Sequence, residues 1–364
     1  MIRTIALFLL LSLTLSLQAQ TEREDSVVPK STQREIMKGA FKRAIKKFMD
    51  FTDYDTLYVS PNRYNYAFMM SHISNFEYYS VTSDLPHPQK LSFSPNPNNK
   101  VGVYFGWQWI FLGWSIDVDD ISRNTKRKNK GTEFDLSLYS SKLGLDVFYR
   151  RTGNNYKIHK LNGFSDNIPS GYSANFDGLK VDIRGLNVYY IFNNHRFSYP
   201  AAFSQSTNQR RNAGSMIAGF SFSKHKLDFD YTRLPDFIQE EINPGMRVEQ
   251  IKYTNASLSF GYAYNWVFAR NCLACLSLTP AIAYKASNVD SEVQEPKWFG
   301  KFNLDFLIRA GIVYNNGKYY VGSSFVGKNY NYHRNNFSLD NGFGTLQIYA
   351  GFNFNLRKQY RQKK

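Results

Sequence analysis

The segment that decides the fold reads Leu346-Gln347-Ile348-Tyr349-Ala350-Gly351-Phe352-Asn353-Phe354-Asn355-Leu356. Every even position holds an apolar side chain, whereas the odd positions hold amides, glycine and one tyrosine. Successive side chains of a β-strand point to opposite faces, so this alternation predicts a strand with one apolar and one polar face. A strand of this length is sufficient to cross a bilayer at a tilt.

The same alternation recurs in three runs upstream, at residues 256–268, 276–285 and 302–314. The turn sequence Asn315-Asn316-Gly317-Lys318 follows the last of them and favours a tight hairpin. From about residue 64 onward the pattern therefore predicts an all-β fold. We expect an antiparallel transmembrane β-barrel of about 12 strands, within a range of roughly 10 to 14.

In the first half of the chain the alternation changes parity in two places. Residues 109–112 and 140–142 separate runs of opposite parity, so each is expected to form a very tight turn or a β-bulge. Outer loops of membrane barrels are usually longer than periplasmic turns, so the long polar connections are predicted to be extracellular. These connections are residues 122–131, 153–177, 193–213 and 235–250.

A soluble β-sandwich or jelly roll also shows alternating strands, and the aromatic residues help to separate the two classes. Aromatic side chains make up 17% of the chain and cluster near strand ends, as at Tyr262, Tyr264 and Trp266. Such clusters are typical of the aromatic girdles of a membrane barrel. The chain is also polar on average, which excludes a bundle of membrane helices but suits a barrel with a wet lumen. We therefore favour the membrane barrel.

The N-terminal region differs from the rest of the chain. Residues 5–17 form a leucine-rich apolar run, and Ala19 offers a small residue for cleavage. We interpret residues 1–19 as a signal peptide, because the run is too short to span a membrane comfortably. The remaining domain prediction is a periplasmic segment at 20–62, the barrel at 63–357 and a basic C-terminal tail at 358–364.

The periplasmic segment contains a predicted amphipathic helix at residues 33–51. Thr32 and Glu35 fit a capping box, and apolar residues then recur with a helical period. Lysine and arginine residues occupy the other face. The helix fits either the membrane surface or a position against or within the barrel mouth.

The strongly basic balance, a formal net charge of +16, bears on the expected partners. Such a balance can indicate nucleic-acid binding, but export removes that partner, so we expect none. The anionic neighbours are expected to be the headgroups of outer-membrane lipids, either lipopolysaccharide or phospholipid. The sequence points to no particular solute.

Charged residues interrupt the polar faces of several strands. They would point into the lumen if the apolar face meets lipid. They form either a salt-bridge network that fills and shapes a small barrel or a path or binding site for a solute. The candidate residues on the strands are Asp146, Arg150, Asp182, Arg184, Asp228, Asp230, Asp305 and Arg309.

No residue set in the sequence specifies a catalytic reaction, a cofactor or a metal. The six histidines lack metal-ligand spacing, and nothing pairs a serine with a histidine. There is no nucleophile elbow, P-loop or dinucleotide-binding fingerprint. Cys272 and Cys275 have the spacing of a redox motif, but they lie between two strand-like runs without the helix that lowers a thiol pKa. We therefore expect a turn disulfide or two free thiols.

Three regions of the chain carry a resemblance to a known family. They are Asp55-Thr56-Leu57-Tyr58-Val59-Ser60-Pro61-Asn62-Arg63-Tyr64-Asn65, then Phe197-Ser198-Tyr199-Pro200-Ala201-Ala202-Phe203-Ser204-Gln205 continued by Gln209-Arg210-Arg211-Asn212-Ala213-Gly214-Ser215, and the ending Phe352-Asn353-Phe354-Asn355-Leu356-Arg357-Lys358. Over nearly the whole mature chain the sequence resembles an uncharacterised family of Gram-negative outer-membrane barrels, known only as a domain of unknown function. The resemblance implies fold and location and supplies no activity. It adds Tyr199, Gln205, Arg210 and Arg211 as candidate residues, whose alternative role is to order a long loop against the barrel mouth.

The sequence thus predicts a non-enzymatic barrel of the outer membrane of a Gram-negative bacterium. Its role would be that of a narrow channel, a ligand-binding protein or a structural protein of the envelope. The first alternative is an outer-membrane lipid hydrolase or acyltransferase, since serine and histidine are both available. The second alternative is a soluble periplasmic β-protein.

Overall fold

The structure is a computed structural model, and it describes residues 54–83, 85–95, 98–107, 110–118, 131–152, 156–164, 172–247, 249–287, 302–334 and 337–361. These residues belong to the larger of the two units into which the chain divides, Phe51–Lys364. The predicted signal peptide at 1–19, the predicted helix at 33–51 and most of the connection at 122–131 lie outside the described residues.

Strands form where the sequence alternates, and twelve of the fifteen strands in the main sheet make up the barrel. The barrel strands are β2 (Tyr64–Ser83), β4 (Asn98–Trp107), β5 (Ile110–Asp117), β6 (Thr132–Tyr139), β7 (Leu143–Arg151), β10 (Leu179–Ile191), β12 (Ala213–Phe229), β13 (Gln250–Ala269), β14 (Cys272–Ser287), β15 (Phe302–Asn315), β16 (Tyr319–Arg334) and β17 (Phe337–Leu356).

Neighbouring barrel strands are antiparallel, in the order β6-β7-β10-β12-β13-β14-β15-β16-β17-β2-β4-β5. Pairing therefore follows chain order, which is the up-and-down arrangement of a barrel. The first barrel strand, β2, pairs with the last, β17, from Tyr64 opposite Leu356 to Ser83 opposite Phe337. The pairing of the terminal strands confirms the predicted barrel, with a strand number at the centre of the expected range.

The two faces of the sheet differ in exposure as the sequence alternation requires. On β13, Leu258 and Phe260 are 69% and 55% exposed on the outer face, whereas Asn255 and Asn265 are fully buried on the inner face. The outer faces of β14 and β15 are apolar and exposed in the same way. A soluble sandwich buries its apolar face, whereas lipid is the favourable environment for an exposed apolar belt of this extent. The fold is therefore that of a transmembrane β-barrel.

Five short strands lie outside the barrel order. At the far end of β2, residues 79–83 pair with β3 (Gln89–Pro95), and the sheet continues through β8 (Tyr156–Asn162) to β9 (Ala174–Phe176). A separate two-stranded sheet pairs β1 (Val59–Pro61) with β11 (Thr207–Gln209). These additions cover the two ends of the barrel.

The helical segments of the described residues are short. They are α1 (Tyr199–Phe203), α2 (Asp236–Glu241) and three 3-10 turns at Tyr231–Arg233, Pro244–Met246 and Lys358–Tyr360. Within the described ranges, no helix is both long and apolar enough to cross a membrane.

One end of the barrel carries tight turns. Ala269 pairs with Cys272, so this hairpin turns within two residues, and Trp107 pairs with Ile110 at the same end. A second tight turn joins β6 to β7 across residues 140–142. The parity change at 140–142 is thus confirmed as a tight turn, whereas residues 108–109 between β4 and β5 lie outside the described residues.

The sequence predicts that all the long connections lie at the opposite end, but not all of them do. Those joining β7 to β10 and β12 to β13 do lie there. The connection at 193–213 instead leaves β10 and enters β12 at the end with the tight turns, since Ile191 pairs with Ile217. The predicted extracellular position of this segment is therefore wrong.

The sheet has one seam without backbone pairing. Within the described residues, β5 pairs only with β4 and β6 pairs only with β7. The sheet nevertheless curls around, because Glu133 of β6 accepts hydrogen bonds from Asn75 of β2 at 2.6 Å and from Lys100 of β4 at 2.7 Å. In a flat sheet with strands about 4.8 Å apart, roughly ten spacings would separate β6 from β4 by about 48 Å. Side chains therefore link β6 to β2 and β4, whereas no backbone ladder joins β6 to β5 within the described residues.

Candidate functional site

The connection between β10 and β12 folds into the lumen, and we call residues 192–212 the plug. Its helix α1 contacts β6, β14 and β15, which lie on different sides of the barrel. Phe197 and Tyr199 are fully buried and meet edge to face, with ring centroids 5.2 Å apart. Burying these rings and the small residues Ala201 and Ala202 is the main apolar gain of inserting the plug.

Polar contacts fix the plug to the barrel wall. The Tyr199 hydroxyl forms a hydrogen bond with Ser277 of β14. The amide of Gln205 donates to the Tyr349 hydroxyl of β17 at 2.6 Å, and its φ of 52° is uncommon for a residue other than glycine. Asn265 of β13 donates to the carbonyl oxygen of Ser198 at 2.9 Å. The plug is thus positioned by side chains from three strands.

An ion pair crosses the lumen above the plug. Asp146 of β7 pairs with Arg309 of β15, and both side chains are almost fully buried. Asn187 and Ser137 also donate to the carboxylate of Asp146, at 3.0 and 2.8 Å. The guanidinium of Arg309 lies 4.8 Å from the ring centroid of Tyr189. A buried charge needs such partners, so this pair is a structural unit, although Arg309 Nε has no hydrogen-bond partner among the described residues.

Two more basic residues of the lumen form ion pairs. Arg150 of β7 donates to Glu77 of β2 and to Asp135 of β6, in both cases at 3.2 Å. Lys285 of β14 donates to Asp305 of β15 at 2.8 Å. The predicted lumen residues Asp146, Arg150, Asp305 and Arg309 are therefore all inside the barrel, although none of them pairs with the neighbour on its own strand.

The other four predicted strand charges do not point into the lumen. Asp182 and Arg184 lie on the outer face of β10, and Asp182 accepts a hydrogen bond from the outward Tyr149 at 3.4 Å. Asp228 lies on the outer face of β12 and pairs with Lys226 at 2.8 Å. Asp230 lies beyond the end of that strand, in an exposed loop. All four sit at the end of the barrel with the long loops, where a charge on the outer face meets water and headgroups.

The four candidate residues that the family resemblance added divide into two buried and two exposed residues. Tyr199 and Gln205 are buried in the plug, whereas Arg210 and Arg211 are exposed at its exit. The guanidinium of Arg211 lies 5.9 Å from the ring centroid of Tyr58.

The two cysteines are free thiols and do not form the turn disulfide that was one of the two expectations. Both lie within β14, after the two-residue turn, with Cys275 buried and Cys272 partly exposed. Residues three apart in a strand point to opposite faces, so the two sulfur atoms cannot meet.

Sequence reasoning missed several charged residues of the lumen. Glu77, Asp135, Lys285 and Lys328 all have inward positions. Lys285 already stood on the polar side of a recognised alternation, and Asp135 stands between the outward residues Phe134 and Leu136. Strand parity could therefore have found these two, whereas β2 and β16 gave no such clear pattern.

Two cavities lie on either side of the plug. The lumen cavity has a volume of about 510 Å³ and is lined by the plug residues Phe203, Ser204 and Gln205, among others. Its charged lining residues are Lys100, Glu133, Asp135, Asp146, Arg150 and Lys328. The vestibule has a volume of about 540 Å³ and lies at the end with the tight turns. Its charged lining residues are Arg63, Arg210, Arg270 and Lys318, with no carboxylate among the residues that line it.

One serine and one histidine do pair inside the barrel. Ser223 Oγ and His225 Nε2 of β12 share a hydrogen bond of 2.9 Å. Among the described residues, however, His225 Nδ1 has no hydrogen-bond partner, so no carboxylate orients the ring. Both side chains are buried, His225 stacks on Tyr253 with centroids 4.4 Å apart, and neither residue lines the lumen cavity or the vestibule. This pair lacks the third group and the substrate access that hydrolysis needs.

The part of the chain that the structure describes contains no group of three His, Cys, Asp or Glu residues arranged to hold a metal ion. The charged groups of the lumen instead form pairs and line the lumen cavity.

A family model described as "Domain of unknown function (DUF4421)" matches residues 53–354. The chain belongs to this family. The match covers the barrel and the plug, in agreement with the resemblance seen in the sequence. A comparison with curated proteins finds no match.

Solved structures similar to this DUF4421 member are barrels of the outer membrane. The outer-membrane protease OmpT of Escherichia coli is 9% identical, with a TM-score of 0.36, and the alignment covers 81% of this chain and 98% of that protein. The toluene transporter TodX of P. putida is 9% identical, with a TM-score of 0.21 and coverage of 80% and 91%. The outer-membrane protein OprG of Pseudomonas aeruginosa is 9% identical, with a TM-score of 0.25 and coverage of 81% and 98%. Scores this low carry no argument about ligand or activity.

Proposed function

We propose that this DUF4421 protein forms a gated passage for small anionic or zwitterionic solutes through the outer membrane of a Gram-negative bacterium. One observation carries the proposal: Gln205 of the plug lines both the lumen cavity and the vestibule. A single layer of plug side chains therefore separates two spaces that each admit water. Displacing the plug would join them.

The attachment of the plug suits a part that moves. Its strand β11 pairs with β1 and not with a barrel strand. Its polar contacts with the wall include side-chain hydrogen bonds of Tyr199, Gln205 and Asn265. Each such bond contributes only about 0.5–1.5 kcal/mol, so the plug can leave without breaking the barrel ladder.

The charges along the passage favour anions. The four cationic residues of the vestibule attract anions and repel cations at its mouth. The lumen cavity adds Lys328 and Arg150, balanced by carboxylates. A solute with an anionic group and a compensating cationic group matches both spaces.

Conductance in planar bilayers tests the passage. We expect the wild-type barrel to be closed or to open briefly, and a variant with residues 198–208 replaced by a glycine-serine linker to conduct persistently with a preference for anions. The double variant Gln205→Ala with Tyr349→Phe removes the hydrogen bond between the plug and β17 and leaves the rest of the plug in place. This variant should open more often than the wild type. A linker variant that is folded by heat-modifiable gel mobility, yet conducts no more than the lipid background, would disprove the passage.

The location is part of the proposal. The apolar outer face and the predicted signal peptide with cleavage near Ala19 support export to the outer membrane. The lipid headgroups of that membrane, phospholipid or lipopolysaccharide, are then the nearest partners. Envelope fractionation with N-terminal sequencing of the recovered protein tests both points, and recovery in the inner membrane would refute the assignment.

A further inference from the structure

The lumen cavity is also open to the side, at the seam between β5 and β6. Trp114 and Phe134 line it, and they are 78% and 52% exposed on the outer apolar face of the barrel. Glu133 and Asp135, on the inner face of β6, line the same cavity. A cavity lined by outward and inward side chains of the same strand passes through the wall. The lumen therefore meets the surrounding lipid at this seam.

The seam is an unusual feature in a membrane. Backbone groups within the hydrocarbon region need hydrogen-bond partners, and an edge strand without a neighbour leaves a row of them without one. Among the described residues, β5 and β6 each have a ladder on one side only. A ligand that passes through this seam therefore needs polar groups on the lumen side as well as apolar chains that reach the lipid.

Two charged groups of the cavity have room for a ligand. No described residue accepts a hydrogen bond from the ammonium of Lys328, which lies 3.7 Å from the ring centroid of Phe148. The carboxylate of Asp135 receives one hydrogen bond, from Arg150, and its side chain is 43% exposed. By contrast, Lys100 and Glu133 bond to each other at 2.7 Å. The open positions are thus one cation and one anion.

We propose that the lumen cavity binds the headgroup of a zwitterionic phospholipid, with its phosphate at Lys328, its amine at Asp135 and its acyl chains leaving through the seam. This inference names a ligand class for the lumen cavity of the proposed passage. A cavity of about 510 Å³ lies within the range of about 300–1,000 Å³ that ligand pockets span. The apolar rim at Trp114 and Phe134 suits the start of the acyl chains, and a soluble solute would need no such side opening.

Native mass spectrometry of the mature protein in detergent provides the test. The protein is titrated with phosphatidylethanolamine, with phosphatidylglycerol, which lacks the amine, and with glycerophosphoethanolamine, which lacks the chains. We expect one phosphatidylethanolamine to be retained per protein. Phosphatidylglycerol should bind about tenfold more weakly because it loses one charged hydrogen bond, and glycerophosphoethanolamine should bind more weakly because it lacks the acyl chains. Equal retention of phosphatidylglycerol would overturn the role of Asp135, and equal binding of the chain-free compound would overturn the route through the seam.

Substitutions separate this site from general lipid contact. Lys328→Met should lower retention of phosphatidylethanolamine about tenfold, and Asp135→Asn should remove the preference over phosphatidylglycerol. Lys160→Met removes an exposed lysine of β8 that lines neither the lumen cavity nor the vestibule, and it should leave retention of phosphatidylethanolamine unchanged. Wild-type retention by Lys328→Met, with a folded barrel on gels, would disprove the phosphate site.

The same spectra report the oligomeric state. A stable dimer without bound lipid would show that a second copy covers the seam and would overturn the proposal. The conductance of the linker variant is independent of these readings. A silent linker variant removes the passage but leaves the lipid site standing, and absent lipid binding removes the lipid site but leaves the passage.

Discussion

Arg309 shows how single residues are held inside this barrel. Its guanidinium pairs with Asp146 and lies over Tyr189, so the buried charge is neutralised on one side and packed against a ring on the other. Removing one partner of such a pair leaves an uncompensated buried charge, which is more costly than losing both. In the lumen network, a single substitution should therefore lower the free energy of unfolding more than the double substitution of both partners does.

We expect Arg309→Met to lower the free energy of unfolding by about 3–5 kcal/mol. The double variant Arg309→Met with Asp146→Asn should recover part of that loss, because no unpaired charge remains. Urea unfolding in lipid vesicles, followed by tryptophan fluorescence, measures both. A single variant within about 1 kcal/mol of the wild type would show that the pair behaves like an exposed one.

Asp230 gives a pH-dependent prediction outside the membrane-spanning strands. Hydrogen bonds from the Thr232 hydroxyl at 2.6 Å and from Arg233 Nε at 3.0 Å hold the pKa of the Asp230 carboxyl below its usual range. These bonds favour the ionised form, so their stabilisation of the loop is present above the unfolded pKa of aspartate and is lost as the pH falls through the lower folded pKa.

The variant Thr232→Val removes the hydroxyl donor and should raise the titration midpoint of Asp230 toward its ordinary value. The ¹³C shift of the side-chain carboxyl, followed by NMR against pH, measures this midpoint. Arg233→Gln provides the comparison, since it removes a weaker contributor and should shift the midpoint less. An unchanged midpoint in Thr232→Val would contradict the assigned cause.

Strand parity predicted part of the site at this scale. It identified the lumen positions of Asp146, Arg150, Asp305 and Arg309, because along each strand these residues alternate with apolar residues that face lipid. Two of their pairs, Asp146 with Arg309 and Arg150 with Glu77, could not be predicted, since they join strands that are distant in the chain. Parity also predicted wrongly that Asp182 points into the lumen. Near a strand end the outer face meets water and headgroups, so a charged residue there does not indicate the inner face.

Among the elements, β14 shows how a proline is accommodated within a barrel strand. Proline has no N–H to donate to a ladder. The β13–β14 register runs from Ser259 opposite Ala281 to Tyr262 opposite Leu278, without the pairs between them that would include Pro280. Gly261 lies at this break, where an added Cβ would stand 2.2 Å from the carbonyl oxygen of Leu278. The two strands therefore approach closely only because this residue has no side chain.

We expect Gly261→Ala to force the two strands apart and to lower the free energy of unfolding by about 1–3 kcal/mol, as overpacked sites do. Gly311→Ala is a matched control, because its Cβ would meet Ala202 and Phe203 at an ordinary 3.5 Å. Urea unfolding in vesicles compares the two. Equal losses would mean that the close approach at Gly261 is not the cause.

The plug is the element that sequence analysis placed at the wrong end. Its length suggested an outer loop, and length alone cannot tell a loop that covers a barrel from one that enters it. The available signal was composition, since Phe197, Tyr199, Ala201 and Ala202 are too apolar for a solvated loop. A rule that weighs the apolar content of long connections would have assigned this segment to the interior.

At the scale of the whole molecule, the exposed apolar belt determines how the protein behaves in solution. We expect the mature protein to stay in the membrane pellet after a high-pH wash and to change its gel mobility on heating, as a compact barrel does. Both are measured by electrophoresis of washed envelopes. Protein recovered in the detergent-free supernatant as a stable monomer would contradict the membrane barrel.

The sequence determined the class of the whole molecule but not its seam. The period of two along residues 346–356 is enough to predict a barrel and an outward apolar face, because both follow from local geometry. The missing ladder between β5 and β6 among the described residues depends on how twelve strands curl together, as do long-range contacts such as Asn75 to Glu133. No local pattern carries that information.

The pairing of β2 with β17 also has a consequence in time. The ribosome makes these two strands first and last, so the longest stretch of sequence in the barrel must be synthesised before this ladder can zip. A nascent chain that stops short of Phe337 lacks the partner of β2 altogether, however well its middle hairpins have formed. The ladder between β2 and β17 can therefore form only after β17, a strand of twenty residues, has been synthesised.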